Sequence, residues 1–446
     1  MGRDVLILVP QGWYIDECCV NPAEKQAPTA ALVMSAYLRK LGHRPTVHIY
    51  GDDLNLSFPK VPDALMVYTP WNGFRQWSAP VFQAFKRQFP NSTTILVMYE
   101  SLVDFELEAM VECPDIDYAV LPNEKEISAG VILDHGAPRC TDGFGEQSGI
   151  AFRDLDGVPR SGGKRPFCDD LSHLPYFGPD LALFLKQYPE GSFNKVGVLI
   201  QRGCAGDCIF CPLRHTQSRY RDPDTVLDEF LLIQRLLGYE ATGTTILESF
   251  REPAFLESFS SLILSKGVKI GWGTGARAEF VNDIGLLKNL KATGLTSLYF
   301  GIECATEETR RRIAKPIEDD HIRNALEITK EADLNFILAY IIGFPWEDGA
   351  YHEELRHQVT RLGSDTHCKR VSLSKLIPYS GLPVEKLLIQ EGILERRNRF
   401  SDWQDRNKNT IVSKTNYLDT GQLQEAARKL SSRVNEMERH RAANRS

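Results

Sequence analysis

The chain has 446 residues, too many for one ordinary core, so two or three domains are expected. Its 42% apolar and 25% charged residues form a globular composition, and a net charge of -7, from 52 basic against 59 acidic side chains, argues against non-specific nucleic-acid binding. No apolar run reaches the ~18 residues a membrane span needs, and the N-terminus runs straight into a strand, so no membrane segment and no signal peptide are expected and the cytoplasm is the expected compartment.

Residues 1–135 alternate apolar strand runs with helical patterns. Val5 to Val9, Thr46 to Tyr50, Ala64 to Tyr68, Thr94 to Met98 and Tyr118 to Val120 read as strands; Ala31 to Leu41 and Ala79 to Phe89 read as helices. This alternation predicts an α/β unit with a doubly wound, Rossmann-like parallel sheet. Ligands of such sheets sit beyond the carboxyl ends of the strands, which makes the loops at 11–27, 69–77 and 99–105 its functional rim. Trp13, Tyr14, Trp71, Phe74 and Trp77 crowd that rim and suit either a flat ligand or a domain interface.

Residues 136–190 loosen into a linker, with a short hairpin predicted around Asp156-Gly157. A second alternation fills 191–383. Its predicted strands are Val196 to Ile200, Thr244 to Leu247, Lys269 to Trp272, Ser297 to Phe300, Asn335 to Ile342 and Arg370 to Leu376, with helical stretches such as Asp224 to Leu237 and Asp319 to Ala332 between them. Six strand-helix repeats make a partial (β/α)6 barrel of the TIM type, with functional groups at the strand C-terminal ends. Residues 384–446 form a polar, helical C-terminal tail, in which Thr420 to Ala443 reads as a surface helix.

Directly after the first of these strands stands Cys204-Ala-Gly-Asp-Cys208-Ile-Phe210-Cys211. A CxxxCxxC triplet supplies three thiolates to one four-iron cluster and leaves the fourth iron open, whereas ligation by four cysteines is usual for clusters that only carry electrons. A structural zinc would need a second pair of ligands to close a tetrahedron. His215 is too near and out of pattern, and Cys304 lies far along the chain.

The spacing, with Phe210 before the last cysteine, resembles the signature of the radical S-adenosylmethionine (SAM) enzymes. The resemblance implies a 4Fe-4S cluster on Cys204, Cys208 and Cys211, SAM chelating the open iron, and reductive cleavage of its sulfonium to a 5′-deoxyadenosyl radical. Gly301-Ile302-Glu303-Cys304 resembles the family's fourth-strand motif, with cysteine where serine is usual. Ile341-Ile342-Gly343-Phe344-Pro345 resembles the fifth-strand glycine motif, and the segment Leu376 to Pro383, with Ile377, the sixth-strand motif. Phe210, Glu248, Ser249, Arg277, Glu303, Ile342, Gly343 and Ile377 are thereby implied as SAM-binding residues. Glu248 has an alternative role in bonding Arg251, Arg277 in a structural salt bridge, and Arg219 and Arg221 in supporting the loop. No catalytic acid or base is assigned; Cys304, Tyr220 and Tyr379 are candidates by placement.

The N-terminal half resembles the subgroup whose barrel follows a cobalamin-binding-type domain, through the helix beginning at Ala27-Pro28-Thr29-Ala30, the strand Asp117-Tyr118-Ala119-Val120 and the turn Asn123-Glu124-Lys125-Glu126. Two departures stand out. No Asp-x-His-x-x-Gly offers a histidine to cobalt, and Tyr99-Glu100 puts bulk where a small turn makes room for the cobalamin tail. Cobalamin-dependent methylation of carbon in a small molecule and cobalamin-free dehydration, rearrangement or cyclisation therefore stand level, beside a third possibility, a non-catalytic iron-sulfur partner subunit. The implied partners are a small-molecule substrate and an electron donor such as flavodoxin or ferredoxin, with no nucleic acid and no membrane.

Overall fold

The computed structural model describes residues 2–11, 26–50, 61–69, 73–98, 105–136, 144–238, 242–244, 250–394, 400 and 414–443. They fall into two compact units, the first reaching Val196 and including Phe400, the second formed by Gly197 onward without Phe400.

The first unit is built on β1 (Asp4–Pro10), β2 (Gln26–Ala27), β3 (Arg44–Tyr50), β4 (Ala64–Thr69), β5 (Thr93–Met98), β6 (Tyr118–Val120), β7 (Ile150–Arg153) and β8 (Pro159–Ser161). Its main sheet has the order β3-β1-β4-β5-β6-β7-β8. The pairings from β3 to β6 are parallel, and those of β6 with β7 and β7 with β8 are antiparallel. Every residue of β4 and β5 is buried, as expected of central strands covered on both faces, and their sequences are continuous apolar runs rather than alternating ones. Helices Thr29–Lys40, Ala79–Gln88, Glu106–Glu112 and Lys125–His135 occupy the connections.

The segment after residue 136 belongs to this unit. Its hairpin turns over Asp154 to Val158, where Gly157 takes φ +81° and the Asp154 carboxylate accepts from the Val158 amide at 2.8 Å. Arg153 lies buried behind it, donating to the carbonyls of Ile116 at 2.7 Å, Gly157 at 2.7 Å and Cys113 at 3.0 Å. Helix Gly178–Leu185 brings Asp180 to Ser35, 2.5 Å, and to Arg39, 3.0 Å. The residues after it reach β3, where the Tyr188 hydroxyl accepts from the Ile49 amide at 2.7 Å and Gln187 donates to the Val47 carbonyl at 3.3 Å.

The expected aromatic rim is partly corrected. Phe74 is fully buried, 5.3 Å from the Phe400 ring, so it serves the core. Trp77 is half-buried, and Trp13, Tyr14, Trp71, Tyr99 and Glu100 lie outside the described residues.

Strand β9 (Lys195–Val198) spans the boundary at Val196, and the second unit carries β10 (Gln201–Arg202), β11 (Arg219–Tyr220), β12 (Thr242–Thr244), β13 (Trp272–Ala276), β14 (Leu295–Glu303), β15 (Asn335–Ile342) and β16 (Cys368–Lys375). Strands β13 to β16 pair in parallel in chain order, with helices Ile284–Thr293, Asp319–Glu331 and Gly349–Gly363 in the connections. The third strand lies later than expected. Trp272, Thr274 and Ala276 alternate as its buried face, and Gly273 lets β13 run close to β14, since a Cβ there would stand 3.0 Å from Ser297 Oγ. The terminal helix Thr420–Ala443 is also more than a surface helix. Leu423, Leu430, Val434 and Met437 are buried, and the helix packs on Gly349–Gly363, with Arg433 donating to Thr360 at 3.2 Å. Apolar positions seven, four and three apart form a stripe that its charged composition hides.

Candidate functional site

Strands β10 and β11 pair antiparallel, Gln201 opposite Tyr220 and Arg202 opposite Arg219, and so close the base of the loop that holds the three cysteines. Gly203 opens that loop at φ +89°, and a Cβ there would overlap the carbonyl of Gln217, so only glycine fits. The Cys204 amide donates to Thr216 Oγ1 at 2.9 Å, and its sulfur accepts from the Gly206 amide at 3.4 Å. Between the cysteines, the Ile209 amide bonds the Ile313 carbonyl at 3.1 Å while its own carbonyl accepts from Val384 at 3.2 Å. Ile209 and Phe210 pack on a core of Cys304, Ile313, Phe344, Leu376, Val384, Leu388 and Ile393, with the Phe210 and Phe344 rings 6.1 Å apart. The loop is therefore seated on the unit's core at its middle and pinned at its base.

Glu303 ends β14 in the left-handed region, φ +67°, where the pairing with β15 slips by a residue. A non-glycine residue held there signals that its surroundings dictate the conformation. Lys315 supplies the reason: its ammonium donates to Glu303 Oε1 at 2.8 Å in a buried pair. Burial disfavours the ammonium, yet Glu303 and Cys208 outweigh it and hold Lys315 above its ordinary value. Burial, followed by the influence of Cys208, pushes the Cys211 thiol up to about 11, with Lys315 pulling the other way. Two cysteines, the carboxylate and the ammonium thus share one electrostatic neighbourhood.

The next strand end is held by a residue that the sequence did not announce. Glu347 is fully buried and accepts from the amides of Gly343 at 2.9 Å and Phe344 at 3.0 Å, while His352 Nε2 stands 3.0 Å away. It fixes the turn at Gly343, φ +108°, just past Ile342. Ile342 is buried and its carbonyl accepts from Leu376 at 2.8 Å; Ile377 follows, half-buried. Lys315 and Glu347 sit beside the motifs rather than in them, and a lysine-proline pair or a single glutamate before a helix carries no signal of its own.

Arg277 is engaged on two sides. Its guanidinium donates to Glu279 Oε1 at 2.6 Å and lies 3.9 Å from Cys208 Sγ, beside the Phe280 ring at 5.8 Å. Arg221 has the structural role weighed for it, a buried two-pronged pair with Glu229 at 2.7 Å on each arm. Tyr220 stacks on Phe255 at 4.7 Å. Cys304 is fully buried, its thiol pushed far up by desolvation and bonded to Tyr351 and Thr309, which makes it part of the core. Glu248 and Ser249 lie outside the described residues.

The donor set suits an iron-sulfur cluster: three thiols outside any disulfide on one loop, Cys208 buried, with Arg277 and Lys315 supplying positive charge next to thiolates that would otherwise be costly to bury.

The sequence pattern of the radical SAM superfamily matches residues 198–359. An uncharacterised methyltransferase of Pyrococcus horikoshii is 25% identical over 349 residues, covering 76% of this chain and 72% of that protein. The anaerobic magnesium-protoporphyrin IX monomethyl ester cyclase of Cereibacter sphaeroides is also 25% identical over 349 residues, with 75% of this chain but 53% of that protein covered. Among solved structures, the radical SAM methyltransferase TsrM from Kitasatospora setae, with cobalamin and a [4Fe-4S] cluster bound, matches at a TM-score of 0.68 and 15% identity, covering 99% of this chain and 92% of that one. The cobalamin-dependent SAM radical enzyme OxsB matches at 0.63 and 14% identity, covering 88% of this chain and 56% of that one. At such identities the structural likeness speaks for the fold. The family pattern spans the strands that deliver the cysteine loop and the turns at Glu303 and Gly343, so residues 198–359 form a radical SAM domain, and such a domain implies a 4Fe-4S cluster and S-adenosylmethionine.

Proposed function

We propose that the chain is a cobalamin-dependent radical SAM enzyme that methylates carbon in a small-molecule substrate. In this reading residues 1–135 form a Rossmann-like cobalamin domain, 136–190 a linker packed within the same compact unit, 191–383 a partial (β/α)6 barrel and 384–446 a helical extension. Cys204, Cys208 and Cys211 hold the cluster. When bound, the cluster supplies the electron that cleaves the SAM sulfonium to a 5′-deoxyadenosyl radical, and cobalamin supplies a carrier for a methyl group.

The chain's own residues bind and orient. Phe210 walls the cluster loop against the core, and Gly343 places no side chain between its turn and a flat adenine. Glu303, with Ile342 and Ile377, lines the SAM pocket, and Glu248, Ser249 and Arg277 complete its polar contacts. Arg277, already paired with Glu279, adds a fixed positive charge beside Cys208. An electron donor such as flavodoxin or ferredoxin feeds the site. No described helix is long and apolar enough to cross a membrane, in keeping with a proposed cytoplasmic setting.

The observation that carries this reading is the presence, in one chain, of the three-cysteine loop and a separate parallel sheet. In chain order, the sheet's parallel strands are arranged second, first, third, fourth and fifth, an order that binds nucleotide-like cofactors at its switch point. The test is to reconstitute the protein anaerobically with iron, sulfide and cobalamin, desalt it and supply SAM labelled in its methyl group. Retention of a corrin absorbance band and of label in product supports methylation. The cyclase relative favours a second reading, radical ring formation without methyl transfer; 5′-deoxyadenosine formed with the corrin band lost would select it.

A further inference from the structure

Apart from the cysteine loop, the first unit gathers a second set of metal-ligating side chains. Glu124 follows β6 in the left-handed region, φ +42°, and its carboxylate is fully buried. Chain from beyond the hairpin returns to it. The Cys168 amide donates to Glu124 Oε1 at 3.2 Å, and His173 Nε2 stands 3.3 Å from Glu124 Oε2. Between these two, Asp170 Oδ1 accepts from the Ser172 amide at 2.8 Å and closes the turn that brings residues 168 and 173 back together. The carboxylate oxygen, thiol sulfur and ring nitrogen all lie within 4.8 Å of one another.

We propose that Glu124, Cys168 and His173 bind one zinc ion. Two ligands about 2.0–2.1 Å from a tetrahedral zinc stand roughly 3.3 Å apart, the separation already present between His173 and Glu124. An ion pair alone would explain those two groups, but not a thiol converging on the same point. The mixed sulfur, nitrogen and oxygen set selects a borderline-soft metal over magnesium or calcium, which take oxygen ligands. The histidine is oriented from behind: Tyr37 packs edge-on against its ring at 6.1 Å, and Lys40 donates to its carbonyl at 3.4 Å. Cys168 and His173 are half-buried, so the fourth position is left to water. Such an ion would staple the run 168–173 to the end of β6, reinforcing the bonds from the Cys168 amide to Glu124 and from Asn123 to the Arg165 carbonyl.

The full chain, dialysed against zinc, desalted and measured by plasma emission, should retain one zinc per chain. The triple variant C204A/C208A/C211A should lose iron and keep that zinc, whereas C168A and H173A should each lose zinc at least tenfold while keeping iron. Zinc absent from the wild type, or held equally by C168A and H173A, overturns the site. Should those variants fail to fold, cobalt(II) added to the triple variant decides: a thiolate-to-cobalt charge-transfer band with tetrahedral d-d absorption supports the site, and its absence removes it.

Discussion

Lys315 Nζ donates to Glu303 Oε1 at 2.8 Å over Gly301, where any Cβ would overlap both charged groups. The pair forces β14 to end in a left-handed turn and therefore sets where the strand delivers its carboxylate. Removing one partner leaves the other buried and uncompensated. Lys315→Met should cost on the order of 3–5 kcal/mol in denaturant unfolding, and adding Glu303→Gln should recover part of the loss. Additive losses would mean the two residues are not coupled.

Each of Cys204, Cys208 and Cys211, changed singly to alanine, should abolish the brown chromophore and all 5′-deoxyadenosine formation from SAM. Retained iron with retained turnover in any single variant would remove the cluster assignment.

Gly203 is constrained twice, by φ +89° and by the Gln217 carbonyl. Gly203→Ala should cost at least ~1–2 kcal/mol in the left-handed region alone and lower iron per chain after reconstitution. Unchanged iron content would show that the loop has room to adjust.

Glu347 satisfies two buried amides at the Gly343 turn. Glu347→Ala leaves both unpaired, which costs about 1–3 kcal/mol for each orphaned group, and should raise the KM for SAM more than it lowers kcat. A stability loss with unchanged KM would confine Glu347 to a structural role.

Burial holds His43 below its ordinary value of 6.5, opposed by Asp134 and reinforced by Arg3 and Arg44. Its Nδ1 accepts from the Arg3 amide at 3.3 Å, which requires the unprotonated nitrogen. The unfolded chain therefore binds more protons below about 6.5, and the contribution to stability is complete above that pH and lost as pH falls toward the folded value. The urea midpoint of the wild type should drop between about pH 7 and 5.5, and His43→Gln should flatten that drop.

The sequence made the strand-helix alternation legible because central strands such as β4 and β5 are unbroken apolar runs. It mislocated β13, whose Trp-Gly-Thr-Gly-Ala run has too few large residues to mark a strand. The cysteine loop was legible because its ligands are close in sequence. Lys315 and Glu347 were not, since each acts on a strand end reached only through the fold. Glu124, Cys168 and His173 were hidden for the same reason: their meeting depends on the hairpin between them.

The hairpin of β7 and β8 has one more effect. It lies along β6, whose outer backbone groups would otherwise present a ready template for a second chain. It ends in a three-residue strand that begins with Pro159, a residue with no amide to donate. A fragment truncated before Ile150 should therefore aggregate through β6, even though every parallel strand of the sheet remains in it.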